Sequence, residues 1–420
     1  MIFSYGENDV VLEYKVKIQK NTSNIEMKLF LIICLPILIL SASIKWKKVS
    51  YFSGEEESYP MSLISPDGSV HILWQAYSGL NDRKIRYRKM LENGTMTDMK
   101  EISGNYSAVV VTGGLSAKIS EDGKHLVVAF TGYRLSSYGR CNNDNIGDGC
   151  MEILFTESLD GGGNWTTPIK MNRDDMNDRR ERIQPAIFLE DTGKVYLMYT
   201  LDPSFFISVR QPNTKDFEKE KNLTTTYELG PKYLGQSIEG SKKHMHLIWN
   251  PHISDYTIYH MRSSDDGQTW SAPKKLAEGE YTDPISSARV TKEGKVFLQY
   301  FKGIDIKIVL SKDHGNTLEL PVRMGSDNGN NNAFDICGKG NEERIISFNV
   351  KRLFGGGYLR YMIPGSKDHH ILEYPFHNFK DIDSVHLSCM HKEKQYTIFI
   401  ILKEKNSNDI HFAYGMATDI

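Results

Sequence analysis

Apolar and polar residues alternate along this chain in short bursts, and the bursts recur. Seven segments share one pattern: a short strand, a polar turn, then a strand ending on a bulky residue. They read LISPDGSVHILW (63–74), KISEDGKHLVVAF (118–130), IFLEDTGKVYLMY (187–199), SIEGSKKHMHLIW (237–249), ARVTKEGKVFLQY (288–300), ICGKGNEERIISF (336–348) and LSCMHKEKQYTIF (387–399). Their closing residues are Trp74, Phe130, Tyr199, Trp249, Tyr300, Phe348 and Phe399, at intervals of 56, 69, 50, 51, 48 and 51 residues. A third strand follows each hairpin, as in KIRYRKM (84–90) and EILFTES (152–158), with the two-residue period of a half-buried strand. A weaker fourth strand follows in six units, for example EIS, PIKM, KKL and PVRM. The seventh unit runs out at Ile420, and KKVSYF (47–52), ahead of the first unit, is expected to complete it. Tandem four-stranded units of about 40–50 residues predict an all-β propeller, because ring closure leaves each sheet packed on its neighbours. The count predicts seven blades; a six-bladed ring with one unit outside it is the alternative. No helical period of useful length occurs, which argues against α/β folds.

One segment departs from this texture. Leu29–Leu40 reads LFLIICLPILIL, preceded by Met27-Lys28 and followed by Ser41-Ala42-Ser43. A basic start, a short apolar run and small residues predict a secretory signal peptide over 27–43. Residues 1–26 are then a spurious or non-structured extension, and 44–420 the propeller. Twelve apolar residues fall short of the roughly 20 needed to span a bilayer. Retention as a membrane anchor by residues 29–40 is the alternative. Removing Cys34 with the signal leaves four of the five cysteines. Cys141 and Cys150 bracket the polar loop NNDNIGDG and are expected to form a surface disulfide; Cys337 and Cys389 are a further possible pair. Asn-x-Ser/Thr sequons at Asn93, Asn105, Asn164 and Asn222 agree with an extracellular location.

Charge is balanced, with Lys+Arg 51 against Asp+Glu 53, so nucleic acid is not an expected partner. The 13 histidines show no zinc spacing, and neither a metal nor a cofactor is expected. The absence of a Gly-rich phosphate loop and of a Gly-x-Ser-x-Gly elbow argues against nucleotide binding and α/β-hydrolase chemistry.

Three turns after third strands share a frame: SLDGGGNW (158–165), SSDDGQTW (263–270) and SKDHGNTL (311–318). Ser158, Ser263 and Ser311 open them. Asp160, Asp265 and Asp313 are placed to accept backbone N–H bonds. Gly162, Gly267 and Gly315 permit positive φ. Trp165, Trp270 and Leu318 pack against the sheet. The frame resembles the Asp-box (BNR) repeat of the sialidase superfamily, over roughly 59–420. The resemblance implies a glycan-related propeller with its site at the channel mouth, near the starts of the innermost strands. It also implies an arginine triad for the substrate carboxylate, a Tyr–Glu nucleophile and an acid/base Asp. Residue by residue the match is partial. The first family arginine falls on Tyr59 in SYPMSL (58–63), and the nucleophilic Tyr nearest Ser384 in DIDSVHLSC (381–389). Asp82 falls near the acid/base position. Arg179, Arg180 and Arg182 in RRERIQP (179–185) and Arg289 in SSARVT are candidate contacts for an anionic ligand, or members of salt bridges. The expectation is a secreted or cell-surface propeller that binds glycans or glycoproteins without the full catalytic set. The alternative is an active exo-sialidase or other glycoside hydrolase.

Overall fold

The computed structural model describes residues 47–51, 56–79, 82–108, 115–134, 152–171, 182–201, 204–223, 237–241, 243–249, 257–277, 287–302, 305–326, 332–350, 357–364, 369–376, 382–404 and 410–418, all within a compact unit Ile44–Ile420. They form seven antiparallel sheets arranged as a propeller, with helix confined among them to a 3-10 turn at Gly340–Glu342. The six-bladed alternative is therefore set aside.

The inner strands are Glu56–Ile64, Leu115–Ile119, Arg182–Leu189, Ser237–Ser241, Ser287–Val290, Asn332–Cys337 and Ile382–Lys392, one for each of blades one to seven. Six sheets have four strands, and five of these follow chain order from the channel outward. Blade two departs from the expected plan and has five. Its second strand, Leu126–Arg134, pairs with Leu115–Ile119 along its first half and with Tyr106–Ala108 along its last three residues, so two short pieces share the inner position. Blade seven is closed as expected. Lys47–Tyr51 pairs with Ile410–Thr418, from Lys47↔Tyr414 to Tyr51↔Ile410.

Second strands bury both faces, which explains why they read as unbroken apolar runs. In Leu126–Phe130, Val128 and Phe130 pack toward Leu73 and Tyr87 of blade one, whereas Val127 and Ala129 pack toward Ile187, Leu197 and Tyr199 of blade three. All seven repeat-closing aromatics are buried, none more than 3% exposed. Trp74, Phe130, Tyr199, Trp249, Tyr300 and Phe399 lie in seams between neighbouring sheets, where truncation of such a ring to Ala costs about 3–5 kcal/mol.

Candidate functional site

Antiparallel connectivity divides the connections between two ends of the ring. Inner strands begin, and second strands pass to third strands, at one end, the mouth. First-to-second and third-to-fourth turns lie at the other. Asp82 opens the third strand of blade one (Asp82–Met90, Gly79↔Asp82), and Arg182 opens the inner strand of blade three (Arg182↔Leu201). Both backbone positions belong to the mouth. Their side chains lie outside the described residues, as do Arg179, Arg180, Cys141 and Cys150 entirely.

Arg289 lies deeper along the channel, opposite Phe297 in its hairpin. Its Nε donates to Asp335 Oδ1 at 3.0 Å, and its guanidinium sits 5.5 Å from the Phe334 ring centre. The other Asp335 oxygen accepts the backbone N–H of Cys389 at 3.0 Å. One carboxylate thus joins the inner strands of blades five, six and seven. Beside it, Cys337 and Cys389 are disulfide-bonded with Cα atoms 5.6 Å apart, tying blade six to blade seven.

A second polar knot closes blade seven onto blade one. His386 Nδ1 lies 3.3 Å from the Ser62 backbone nitrogen, which donates to it, and 3.2 Å from Ser62 Oγ. Ser388 Oγ donates to the Ser62 carbonyl at 2.8 Å. The imidazole keeps some accessible surface but is enclosed by protein. That burial, with the charges of Arg289 and Lys118, pushes its pKa down to about 3. His386 is therefore a neutral hydrogen-bonding group at ordinary pH. Below Arg289 opens a cleft of about 250 Å³, lined among others by Thr291, Lys292, Glu293, Asp335 and Lys339. Sequence reasoning singled out Arg289 but missed Ser62, Asp335, His386 and Ser388. Their one signal is a polar residue placed among apolar neighbours on an inner strand.

The positions to which the sequence resemblance assigned sialidase residues hold other chemistry. Tyr59 has φ +50 and packs half-buried on the cluster of Leu73, Tyr87 and Phe130. Ser384 sits on the inner strand of blade seven, its Oγ buried and without a hydrogen-bond partner. Tyr414 packs beside Trp74 and Phe412 between blades seven and one, and burial raises its pKa. Two buried tyrosines do donate to a glutamate: Tyr199 to Glu220, and Tyr196 to Glu190 at 2.9 Å. Glu220 precedes the outermost strand of blade three (Lys221–Asn222), and Glu190 lies in a turn opposite the mouth. Neither pair belongs to the mouth.

The three Ser-x-Asp turns have one geometry. In each, the Ser Oγ donates to the Asp Oδ1 at 2.8 Å and accepts the Gly N–H at 2.8–2.9 Å. The same Oδ1 accepts the backbone N–H four residues on, from Asn164, Thr269 or Thr317, at 2.7–2.9 Å. Those hydrogen bonds hold Asp160, Asp265 and Asp313 at a pKa of about 2. Gly162 is obligatory for a second reason besides its φ of +89: a Cβ there would lie 1.8 Å from the Tyr87 hydroxyl of blade one. All three turns occupy the end opposite the mouth. No group of three or more His, Cys, Asp or Glu among the described residues could hold a metal ion.

These features define a seven-bladed β-propeller. Neither a family profile nor a curated protein sequence matches the chain. Solved structures do match its fold. A Dyadobacter fermentans protein of unknown function overlaps with TM-score 0.53 at 12% identity, over 90% of this chain and 99% of that one. The polysaccharide lyase Uly1 overlaps with TM-score 0.52 at 11% identity, over 85% and 89%. The NanB sialidase of Streptococcus pneumoniae overlaps more weakly, with TM-score 0.47 at 13% identity, over 88% and 70%. At such identities the likeness is one of fold.

Proposed function

We propose that this protein is a secreted or cell-surface propeller of the sialidase type that binds glycans or glycoproteins and does not cleave them. The ligand lies at the mouth, met by Arg179, Arg180 and Arg182, with Asp82 nearby. Guanidinium groups suit a sugar carboxylate or sulfate, which they contact through paired N–H donors. The sialidase assignment is supported by three Ser-x-Asp turns with matching hydrogen bonds, each between the third and fourth strands of a blade. The carrying observation for binding over catalysis is the nucleophile position. Ser384 is the residue nearest the position the family gives its tyrosine, and Tyr59, aligned with its first arginine, packs on the Leu73, Tyr87 and Phe130 cluster. A retaining glycosidase without its nucleophile has no covalent intermediate to form. The apolar segment within 27–43, read as a leader, supports secretion.

Hydrolysis of a fluorogenic sialoside by the purified protein, paired with a sialoglycan array, tests the proposal. The expected result is retention on the array without turnover. Turnover that disappears in Asp82→Asn would establish the exo-sialidase instead.

A further inference from the structure

Two of the four sequons within residues 44–420 occupy the same structural place on adjacent blades. Asn93-Gly94-Thr95 lies between the third and fourth strands of blade one (Asp82–Met90 and Lys100–Glu101). Asn164-Trp165-Thr166 lies between those of blade two (Glu152–Ser158 and Ile169–Lys170). Asparagine and the following residues must reach an external enzyme and afterwards carry a bulky sugar, so a sequon gains meaning when the fold sets it on an exposed turn. Both asparagines are exposed. Asn93 Oδ1 accepts the Thr95 N–H at 2.9 Å, an Asx turn inside the sequon itself. The next residue faces open space: a Cβ on Gly94 would meet nothing within 4 Å.

Asn164 looks like a conflict, because its Nδ2 donates to Asp160 Oδ2 at 2.7 Å within the Ser-x-Asp turn. The amide has two hydrogens and this bond uses one. N-glycosylation replaces one amide hydrogen and keeps the other, so the turn and the sugar are compatible.

Each turn also exposes a leucine. Leu91 is 38% exposed beside Asn93, and Leu159 is 66% exposed within the Asn164 turn.

We infer that Asn93 and Asn164 carry N-linked glycans on the face opposite the mouth, in the same turns as the exposed Leu91 and Leu159. In the transfer step the asparagine amide nitrogen attacks the anomeric carbon of a polyprenyl-diphosphate oligosaccharide. A C–N bond forms, the C–O bond to the diphosphate breaks, and the amide proton leaves with the diphosphate. Sugars so placed leave the strand-start end of the ring uncovered. Asn105, in a bend after the outer strand of blade one, and Asn222, on the edge strand of blade three, are exposed but outside such turns. The inference rests on the secretion half of the proposed function.

The test is peptide mass spectrometry of the full chain secreted from eukaryotic cells, after amidase release of N-glycans in heavy-oxygen water. Two forms are compared: the chain behind its own residues 1–43, and residues 44–420 behind a foreign leader. Heavy-oxygen aspartate at positions 93 and 164 in most copies is the expected result. Asn93→Gln and Asn164→Gln should each remove one glycan step on a gel. Unmodified asparagines in protein secreted behind the foreign leader would overturn the inference. Modification behind the foreign leader alone would support these sites and overturn the secretion reading.

Discussion

The turns that end the third strands of blades four and five share a backbone and differ in what they offer the preceding blade. Asp266 (φ +66) and His314 (φ +57) occupy the same left-handed position. Asp266 accepts the Tyr196 hydroxyl and the Lys194 ammonium of blade three, each at 2.9 Å. His314 instead stacks on His244 of blade four with ring centres 3.9 Å apart. Beneath that stack, His246 and His260 are buried and joined by a hydrogen bond, Nδ1 to Nε2, of 3.2 Å. One scaffold therefore supports a charged seam between blades three and four and an imidazole seam between blades four and five. The turn conserves its internal bonds, and the residue it projects decides which conditions open the seam.

Acidification should separate the two seams most. Burial pushes the pKa of His246 down to about 3, helped by His260, His244, His314 and Arg262. Burial likewise lowers His260 to about 4, with Lys274 and Arg262 contributing. Both are histidines depressed on folding, so their neutral forms stabilise the fold fully above the ordinary value of 6.5. That contribution is lost as pH falls from 6.5 toward the folded values. By pH 5 the loss is about 2 kcal/mol per histidine, from about 1.4 kcal/mol per pH unit. Urea unfolding between pH 7 and 4 should show this slope, and His246→Leu with His260→Leu should reduce it without abolishing it, because burial depresses His71 and His386 to about 3 in the same way. An unchanged slope in that double variant would place the titrating groups elsewhere. The three turn aspartates act in the opposite range: their contribution is present above about 3.8 and fades only toward pH 2.

A pair of glycine substitutions sharpens the contrast at constant backbone. Gly267 and Gly315 both have φ +76, so Ala at either carries the same left-handed strain of about 1–2 kcal/mol. Their surroundings differ. A Cβ on Gly267 would meet the flexible Met245 sulfur at 3.3 Å, whereas on Gly315 it would meet the buried His246 ring at 2.8 Å. Gly315→Ala should therefore be the more destabilising by about 1–3 kcal/mol of overpacking, measured as a difference in denaturant midpoint. Equal losses would mean that the imidazole seam yields as readily as a methionine.

The smallest effect is expected at the charged seam. Asp266→Ala removes a partly exposed ion pair and one acceptor of the Tyr196 hydroxyl, while Glu190 remains to accept it. A loss of about 1 kcal/mol is expected, shrinking in high salt. A salt-independent loss would assign the effect to the tyrosine hydrogen bond.

Local order was legible in the sequence, and contact between blades was not. The hairpins, the closing aromatics and the terminal strand announce themselves because each blade repeats the same apolar spacing. The inner strand of blade two misleads: KIS (118–120) suggests a single strand, yet Tyr106–Ala108 takes part of the inner position. The knots around the channel join residues far apart in the chain. Ser62 and His386 are 324 positions apart, and each looks like an ordinary polar residue in a half-buried strand. The Cys337–Cys389 pairing stayed open for the same reason, since it depends on which blades are neighbours. Of the candidate site, only the strand-start positions of Asp82 and Arg182 could be read from the repeat. Arg289 lies on a predicted inner strand, but its ion pair to Asp335 required the ring.

The pairing of Lys47–Tyr51 with Ile410–Thr418 also sets an order of events during synthesis. The first residues of the propeller leave the ribosome with no strand to join, and they wait until Ile410–Thr418 has been made. Stacked blades can form along the way, but the circle stays open until that strand emerges. A chain cut short before Ile410 would present an unpaired sheet edge to chaperones and proteases. Synthesis of Ile410–Thr418 is thus the signal that lets the ring shut.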